Sequence, residues 1–432
     1  MEVIPGELDL FNKPTYTSAY KQEDIEVIQP QTSLTAGQGF AFEVSSVGYP
    51  YIDLEKFYLE LSLVIVKGDN NTAVVEGDKI CPVNNILSSY IKDIELSVNG
   101  VIIDQQDGLY PYKDYIHKLI NCDEDVMRKR GLLSGYEKQS LDKILTPLDD
   151  ANPWYKSNIA KWKDGVIHNF YDKLNIPFLQ QSKVLPTNSK LIIKFNLSNP
   201  TFYLFGKNDE IVAKKAIIMV KKANLFVTKR YYEDSIHLGF QQARISANLN
   251  YTFPNIKASS QAISSGITHY SSTPLENGAI SDIIIVALVS DPAFSGNGAL
   301  NPFYFEHANV TSISLVCGNR KFSRIAYDNL DFEGDKYIRG YLANLVNLGM
   351  DDDSKICLSI TPKEWATGST FFTFKVSEGP TDLNGPRVPQ LAGEIRLDIS
   401  FSKATEKNYK AIILCVAPKT VQIDNFNTVT VS

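Results

Sequence analysis

The clearest pattern in the chain runs from residue 82 to 119. Ile94, Leu96 and Val98 alternate with Asp93, Glu95 and Ser97, the period-two signature of a strand with one apolar and one polar face. Asn99-Gly100 follows, two residues that tolerate positive φ, so the pattern predicts a tight reversal into a second strand over Val101 to Ile103. Tyr112, Tyr115, Ile116 and Leu119 then fall at helical spacing, opened by Pro111 near a first-turn position. The same order returns about 220 residues later. Ile313, Leu315 and Cys317 alternate with Ser312, Ser314 and Val316, Gly318-Asn319 stands at the turn, and Tyr337, Ile338, Tyr341, Leu342 and Leu345 mark one side of a helix. In each half a proline, Pro82 or Pro302, precedes the alternating strand. The spacing predicts a duplicated domain.

The remaining segments predict strands far more often than helices. Phe40, Phe42 and Val44 alternate, and Ile52 to Val66 is a longer strand with the Leu59-Leu61-Leu63-Ile65 series on one face. Segments 166–177, 190–197 and 216–227 complete the first half. In the second half, 245–253, the wholly apolar 283–289, 370–376, 394–401 and 411–416 read as strands; Ile395, Leu397, Ile399 and Phe401 alternate with Arg396, Asp398 and Ser400. Residues 124–135 read as a short helix. Residues 136–163 and the serine-rich 259–272 read as long irregular loops. Residues 1–35 lack periodicity and carry Pro5, Pro14 and Pro30, as expected of an extended arm. The expected architecture is all-β: two tandem eight-stranded antiparallel jelly rolls with short helices in the loops. The expected divisions are an arm over 1–35, a first jelly roll over 36–228 and a second over 229–432.

Composition narrows the function classes. At 432 residues, 44% apolar and 21% charged, the chain is long enough for two separate cores. A formal net charge of -6 gives no global attraction to nucleic acid, and the pairs Lys214-Lys215 and Lys221-Lys222 read as solvated strand positions. Five cysteines with no CxxC spacing read as reduced intracellular thiols. The N-terminal residues have neither the basic start nor the apolar core of a secretory signal, and the apolar run 283–289 is too short to span a bilayer. No Walker loop, GxGxxG, HExxH or GxSxG occurs. The five histidines are scattered singly, Asp351-Asp352-Asp353 lacks cation-loop spacing, and the carboxylate pairs Asp93/Glu95 and Glu394/Asp398 read as wet-face strand residues. These readings point away from an enzyme, and no cofactor or metal is expected.

In their shared order the segments resemble one known family. Pro82-Val-Asn-Asn-Ile-Leu, Ile94-Glu-Leu-Ser-Val-Asn-Gly and Tyr110-Pro-Tyr-Lys-Asp-Tyr stand in the first half. Val286-Ala-Leu-Val-Ser-Asp-Pro-Ala-Phe-Ser-Gly, Asn301-Pro-Phe-Tyr-Phe-Glu-His, Ile313-Ser-Leu-Val and Gly393-Glu-Ile-Arg-Leu-Asp-Ile-Ser-Phe-Ser-Lys-Ala stand in the second. The chain resembles the double jelly-roll major capsid proteins, or hexons, of Polinton/Maverick elements and adintoviruses. The resemblance implies a non-enzymatic, virion-located subunit that forms pseudo-hexameric homotrimers tiling an icosahedral shell around double-stranded DNA. Neighbouring capsomers and penton and minor capsid proteins would be its partners. It further implies outward tower or intersubunit loops, here assigned to Trp154, Tyr155, Trp162 and Tyr270, and a basal arm making contacts through Leu10, Phe11, Tyr16 and Tyr20. Two rival readings are a carbohydrate-binding or glycoside-processing β-sandwich, with Trp154, Trp162 or Trp365 stacking on sugar, and a capsid-derived protein domesticated by a host.

Overall fold

A computed structural model describes residues 19–105, 107–139, 148, 152–351, 358–377 and 390–431. Eight strands build the first half: β1 (Tyr20–Ile28), β2 (Phe40–Ser45), β3 (Tyr51–Lys67), β4 (Ile91–Val98), β5 (Val101–Gln105), β6 (His168–Lys173), β7 (Lys190–Leu197) and β8 (Ile217–Tyr232). They form two sheets, ordered β1-β8-β3-β6 and β2-β7-β4-β5, with antiparallel pairing throughout. The second half repeats the plan with β9 (Leu249–Ile263), β10 (His269–Ser271), β11 (Ile283–Ser290), β12 (Val310–Cys317), β13 (Arg320–Tyr327), β14 (Phe371–Lys375), β15 (Ala392–Phe401) and β16 (Tyr409–Ile423). Its sheets are ordered β9-β16-β11-β14 and β10-β15-β12-β13. Adding eight to every strand of the first half gives the second. Each half is a jelly roll, and short pairings at 72–73, 184–185, 276–279 and 429–431 extend the edges.

The alternation seen in the sequence produces the sandwich directly. Phe40, Phe42 and Val44 of β2, Leu191, Ile193 and Phe195 of β7 and Ile94, Leu96 and Val98 of β4 are buried with Leu59, Leu61, Leu63 and Ile65 of β3 in one cluster. The Phe40 and Phe195 rings stack at 5.1 Å. Each such side chain contributes roughly 1.5–3 kcal/mol on leaving water. The Asn99-Gly100 reversal has φ of 49° and 86°, the left-handed values that Asn and Gly adopt at least cost. Its counterpart begins at Gly318. The chemistry of β4 differs from expectation on one side: Asp93 and Ser97 are buried as well, since β4 is an inner strand flanked by β7 and β5.

Several segments differ from the sequence expectations. Residues 20–28, expected within an arm, are β1, paired residue for residue with β8 except for one irregularity near Tyr20. Residues 21–27 are exposed, so no buried face marked the strand; backbone pairing and the ion pairs Glu26–Lys229 (2.6 Å) and Glu23–Arg230 (3.2 Å) hold it. The strand expected to end at 227 continues to Tyr232, and a helix, Asp234–Ser246, joins the halves before β9. Ser259–Ile263, expected as loop, extends β9 along β16, because backbone hydrogen bonding to an apolar neighbour outweighs the weak strand propensity of serine. Within 136–163, expected as irregular, Pro153–Trp162 is a helix, with Asn152 capping it by accepting from the Trp154 N–H (3.1 Å) and Pro153 in its first turn.

Candidate functional site

The principal candidate is the seam between the jelly rolls, organised by helix α1 (Tyr110–Asn121). α1 lies between β5 and β6 in sequence, and its counterpart α2 (Ile338–Leu348) lies between β13 and β14. Each closes the open side of its own sandwich with a polar anchor. Lys118 of α1 reaches Asp114 at 3.0 Å and Asp172 of β6 at 2.8 Å, and donates to Asn85 Oδ1 (2.9 Å) and Ser134 Oγ (3.2 Å). Asp114 also accepts from Ser88 (2.5 Å) and Asn85 (3.1 Å). Burial opposes the Lys118 charge, yet the two carboxylates override it and hold the ammonium above its ordinary range. Burial would likewise raise the Asp114 carboxyl, but the Lys118 ammonium and the Ser88 and Asn85 bonds keep it below the usual value. One turn earlier, burial pulls Lys113 down to about 8 against the opposing pull of Asp104 and Asp114.

The anchor of α2 is neutral. Asn344 Oδ1 accepts from the Tyr327 hydroxyl and the Thr373 N–H, both at 2.9 Å, and its amide donates to Phe371 O at 3.1 Å. Asn347 donates to Thr373 O at 2.6 Å. This corrects the expected apolar stripe in part, since Tyr341 is buried and Tyr337 and Leu345 pack against the core as the spacing predicts. The face turned inward carries Gly340, Tyr341, Ala343, Asn344 and Asn347, while Ile338 and Leu342 face solvent.

Against the second half, α1 presents aromatics. Tyr115 stacks on Phe303 with ring centroids 4.6 Å apart, and Tyr112 stacks on Phe294 at 5.7 Å and meets Phe303 edge-on at 5.8 Å. Leu119 O accepts the Ser359 N–H at 3.1 Å. Farther along the seam Phe178 meets Phe253 of β9 at 5.5 Å, Tyr251 of β9 donates to Val184 O at 2.9 Å, and Lys419 donates to Ile103 O at 2.6 Å. Between these contacts lies a groove of about 450 Å³. Leu109, Pro111 and Tyr112 line one side, and Ala258, Ser259 and Ser260 of β9 line the other.

Of the residues expected in tower or intersubunit loops, two are buried and two are partly exposed. Tyr155 and Trp162 are buried in the core; Tyr155 donates to Lys79 O at 2.5 Å, and Trp162 stacks on Phe170 at 5.8 Å. Trp154 is partly buried against Phe205 at 5.8 Å. Tyr270 sits on β10 and donates to Gln261 of β9 at 3.0 Å, a contact inside one half. Trp365 is fully buried and donates to Phe371 O at 2.8 Å, so neither it nor Trp162 offers a face to a sugar ring. Leu10, Phe11 and Tyr16 lie outside the described residues; Tyr20 begins β1 opposite Tyr232. The basic pairs are largely neutralised: Lys214 meets Asp78 at 3.2 Å, Lys215 meets Asp69 at 2.6 Å, and Lys222 meets Glu60 at 3.2 Å. Among the described residues no group of three or more His, Cys, Asp or Glu is placed to hold a metal ion, and no helix is long and apolar enough to cross a membrane. Sequence reasoning missed the Asp114–Lys118–Asp172 anchor. Its one legible signal was an i, i+4 Asp–Lys pair on a helix otherwise dominated by apolar residues.

No family model matches the chain. An uncharacterized protein of Caenorhabditis elegans, F54H12.2, is 22% identical over 369 residues, which cover 83% of this chain and 84% of the relative. Among solved structures, a chain of the Sputnik virophage determined by cryo-EM superposes with a TM-score of 0.65 and 12% identity, covering 100% of this chain and 92% of that one. A chain of the PBCV-1 virus capsid gives 0.61 and 12%, covering 98% and 99%. The mavirus major capsid protein gives 0.51 and 11%, covering 99% and 93%. The fold is thus the double jelly roll of viral major capsid proteins, matched along the whole chain and not in one half alone.

Proposed function

We propose that this chain is a structural, non-enzymatic capsid subunit of the Polinton/Maverick and adintovirus type, acting in the virion. Three copies form a capsomer of six similar jelly rolls, and capsomers tile an icosahedral shell around a double-stranded DNA genome. Penton and minor capsid proteins occupy the positions that this subunit cannot fill. The observation that carries the reading is the strand-for-strand equivalence of the two halves, joined by an aromatic seam. Two equivalent sandwiches fixed rigidly side by side give a trimer a near-hexagonal outline, which packs a shell with one kind of contact repeated. The absence of long-range positive charge fits a subunit that encloses a genome without binding its sequence.

The test is light scattering on the purified chain, with negative-stain imaging of the same fraction. Trimers of hexagonal outline, or closed shells, are expected. A strict monomer at high protein concentration would overturn the proposal.

A further inference from the structure

One cavity takes no part in the seam. It lies beside the last turns of α1, with a volume of about 240 Å³. The short helix Glu124–Arg130, the turn Gly131–Ser134 and the chain leaving β6 form its other walls. These walls hold more donors than they use. Lys118, Arg130 and Lys173 line the cavity against two carboxylates, Asp114 and Asp172. Both carboxylates are already engaged. Asp114 meets Lys118, Ser88 and Asn85, while Asp172 meets Lys118 and accepts the Lys173 N–H at 2.8 Å. Arg130 and the Lys173 ammonium make no ion pair among the described residues; the ammonium lies 5.8 Å from the centre of the Tyr58 ring. Asn175 is 4% exposed, and its Oδ1 accepts from Gln180 at 3.2 Å, yet its Nδ2 has no partner among the described residues. A buried donor left so is costly, and an arriving acceptor relieves that cost. Met127, which is buried, and Val126 and Cys122 make the remaining wall apolar.

We propose that this cavity binds a small organic phosphate, its oxygens held by Arg130, Lys173 and Asn175 and its organic group laid against Val126 and Met127. Spare donors without spare acceptors select an anion over a cation. Those donors come from separate elements, Arg130 from the short helix and Lys173 and Asn175 from the chain around the end of β6. Convergence from several directions suits a tetrahedral group with three free oxygens better than a planar carboxylate with two. The volume exceeds what a bare phosphate fills, and the apolar wall gives the remainder a use. The site lies within one chain, so the inference goes beyond the capsid reading and does not depend on it.

Titration calorimetry on the full chain tests it, with phenyl phosphate as the probe and inorganic phosphate and phenol as comparisons. Phenyl phosphate should bind once per chain and raise the melting temperature. Inorganic phosphate should bind roughly tenfold more weakly, and phenol not at all. Arg130→Ala should weaken phenyl phosphate roughly tenfold and Arg130→Glu roughly a hundredfold. Lys321→Ala, on β13 of the other half, should change nothing. Arg130 is exposed and makes no ion pair among the described residues, so its variants should melt as the parent does and a loss of binding reports the site. The inference fails if phenyl phosphate gives no heat at about 10 mM, or if phenol or inorganic phosphate binds as tightly. It fails equally if Arg130→Ala and Lys321→Ala behave alike, since binding would then follow overall charge and not this cavity.

Discussion

Lys118→Met offers the sharpest test of how α1 is held. The methionine replaces the apolar stem of the lysine and removes the terminal ammonium with its charge and donors. In the parent, the Lys118 side chain is 11% exposed and that of Asp114 is 4% exposed, so substitution strands one carboxylate in the core and a second, Asp172 at 17%, close by. Removing one member of a buried ion cluster typically costs about 3–5 kcal/mol, well above the ~1 kcal/mol of a surface pair. For a domain of this size that is a fall of roughly 10 °C in melting temperature. The pH dependence separates this cause from lost packing. In the parent, Asp114 titrates below its unfolded value, so its contribution is fully present above about pH 4 and is lost as pH falls through the native value. Without Lys118, burial dominates and the carboxyl titrates above its unfolded value. The variant then takes up a proton on folding, and its deficit shrinks as pH is lowered from 7.5 to 5. Urea melts of both proteins at the two pH values measure this. A deficit under about 1 kcal/mol at pH 7.5, or one that is the same at pH 5, would refute the argument.

Two further substitutions probe the seam and its counterpart. Tyr115→Ala removes the ring stacked on Phe303 and should cost about 3–5 kcal/mol, read by calorimetry as a lower melting temperature and by limited proteolysis as faster cleavage between the halves. Gly340→Ala sets a helix-propensity gain of up to ~1 kcal/mol against a methyl 2.9 Å from the Trp365 ring, which is pinned by its bond to Phe371 O; overpacking should win, with a net loss of about 1–2 kcal/mol in urea melts.

The parts of the fold that the sequence made legible are those whose local pattern and tertiary environment agree. β2, β7 and β15 alternate because one face meets the core, and α1 shows helical spacing because its apolar face is buried. Elements that failed to show were held by forces with no period. β1 has no buried face and depends on pairing with β8, while Ser259–Ile263 depends on β16. α2 misled in part: Tyr341 and Ala343 do face inward, but Ile338 and Leu342 face outward, and the inward face is also marked by Asn344 and Asn347. Hydrophobicity identifies the inner side of a helix only when the receiving surface is apolar. Here that surface offers the Phe371 and Thr373 carbonyls, the Thr373 N–H and the Tyr327 hydroxyl, which demand amide partners. The burial of Trp162 and Tyr155 was hidden similarly, because aromatic residues in a stretch without period look alike whether they meet a partner chain or their own core.

The two helix anchors show what duplication conserves and what it leaves free. Both helices reach the equivalent strand, α1 through Lys118 to Asp172 of β6 and α2 through Asn344 and Asn347 to Thr373 of β14. The first half does so with a charged cluster of Lys118, Asp114 and Asp172, and the second with the amides of Asn344 and Asn347. The neutral solution is tolerant of pH and cheap to desolvate. The charged one is stronger per contact but requires all three members together. That difference follows the burial of each helix. α1 is covered on its far side by the second jelly roll, where a full set of partners can be fixed, whereas α2 keeps Ile338 and Leu342 in solvent in a single copy. Beneath α2 the anchor is fully sealed, with Asn344 and Asn347 at 0% exposure, so an ion cluster there would carry the whole cost of desolvation. An amide anchor holds its geometry whether or not the outer face of the helix is covered.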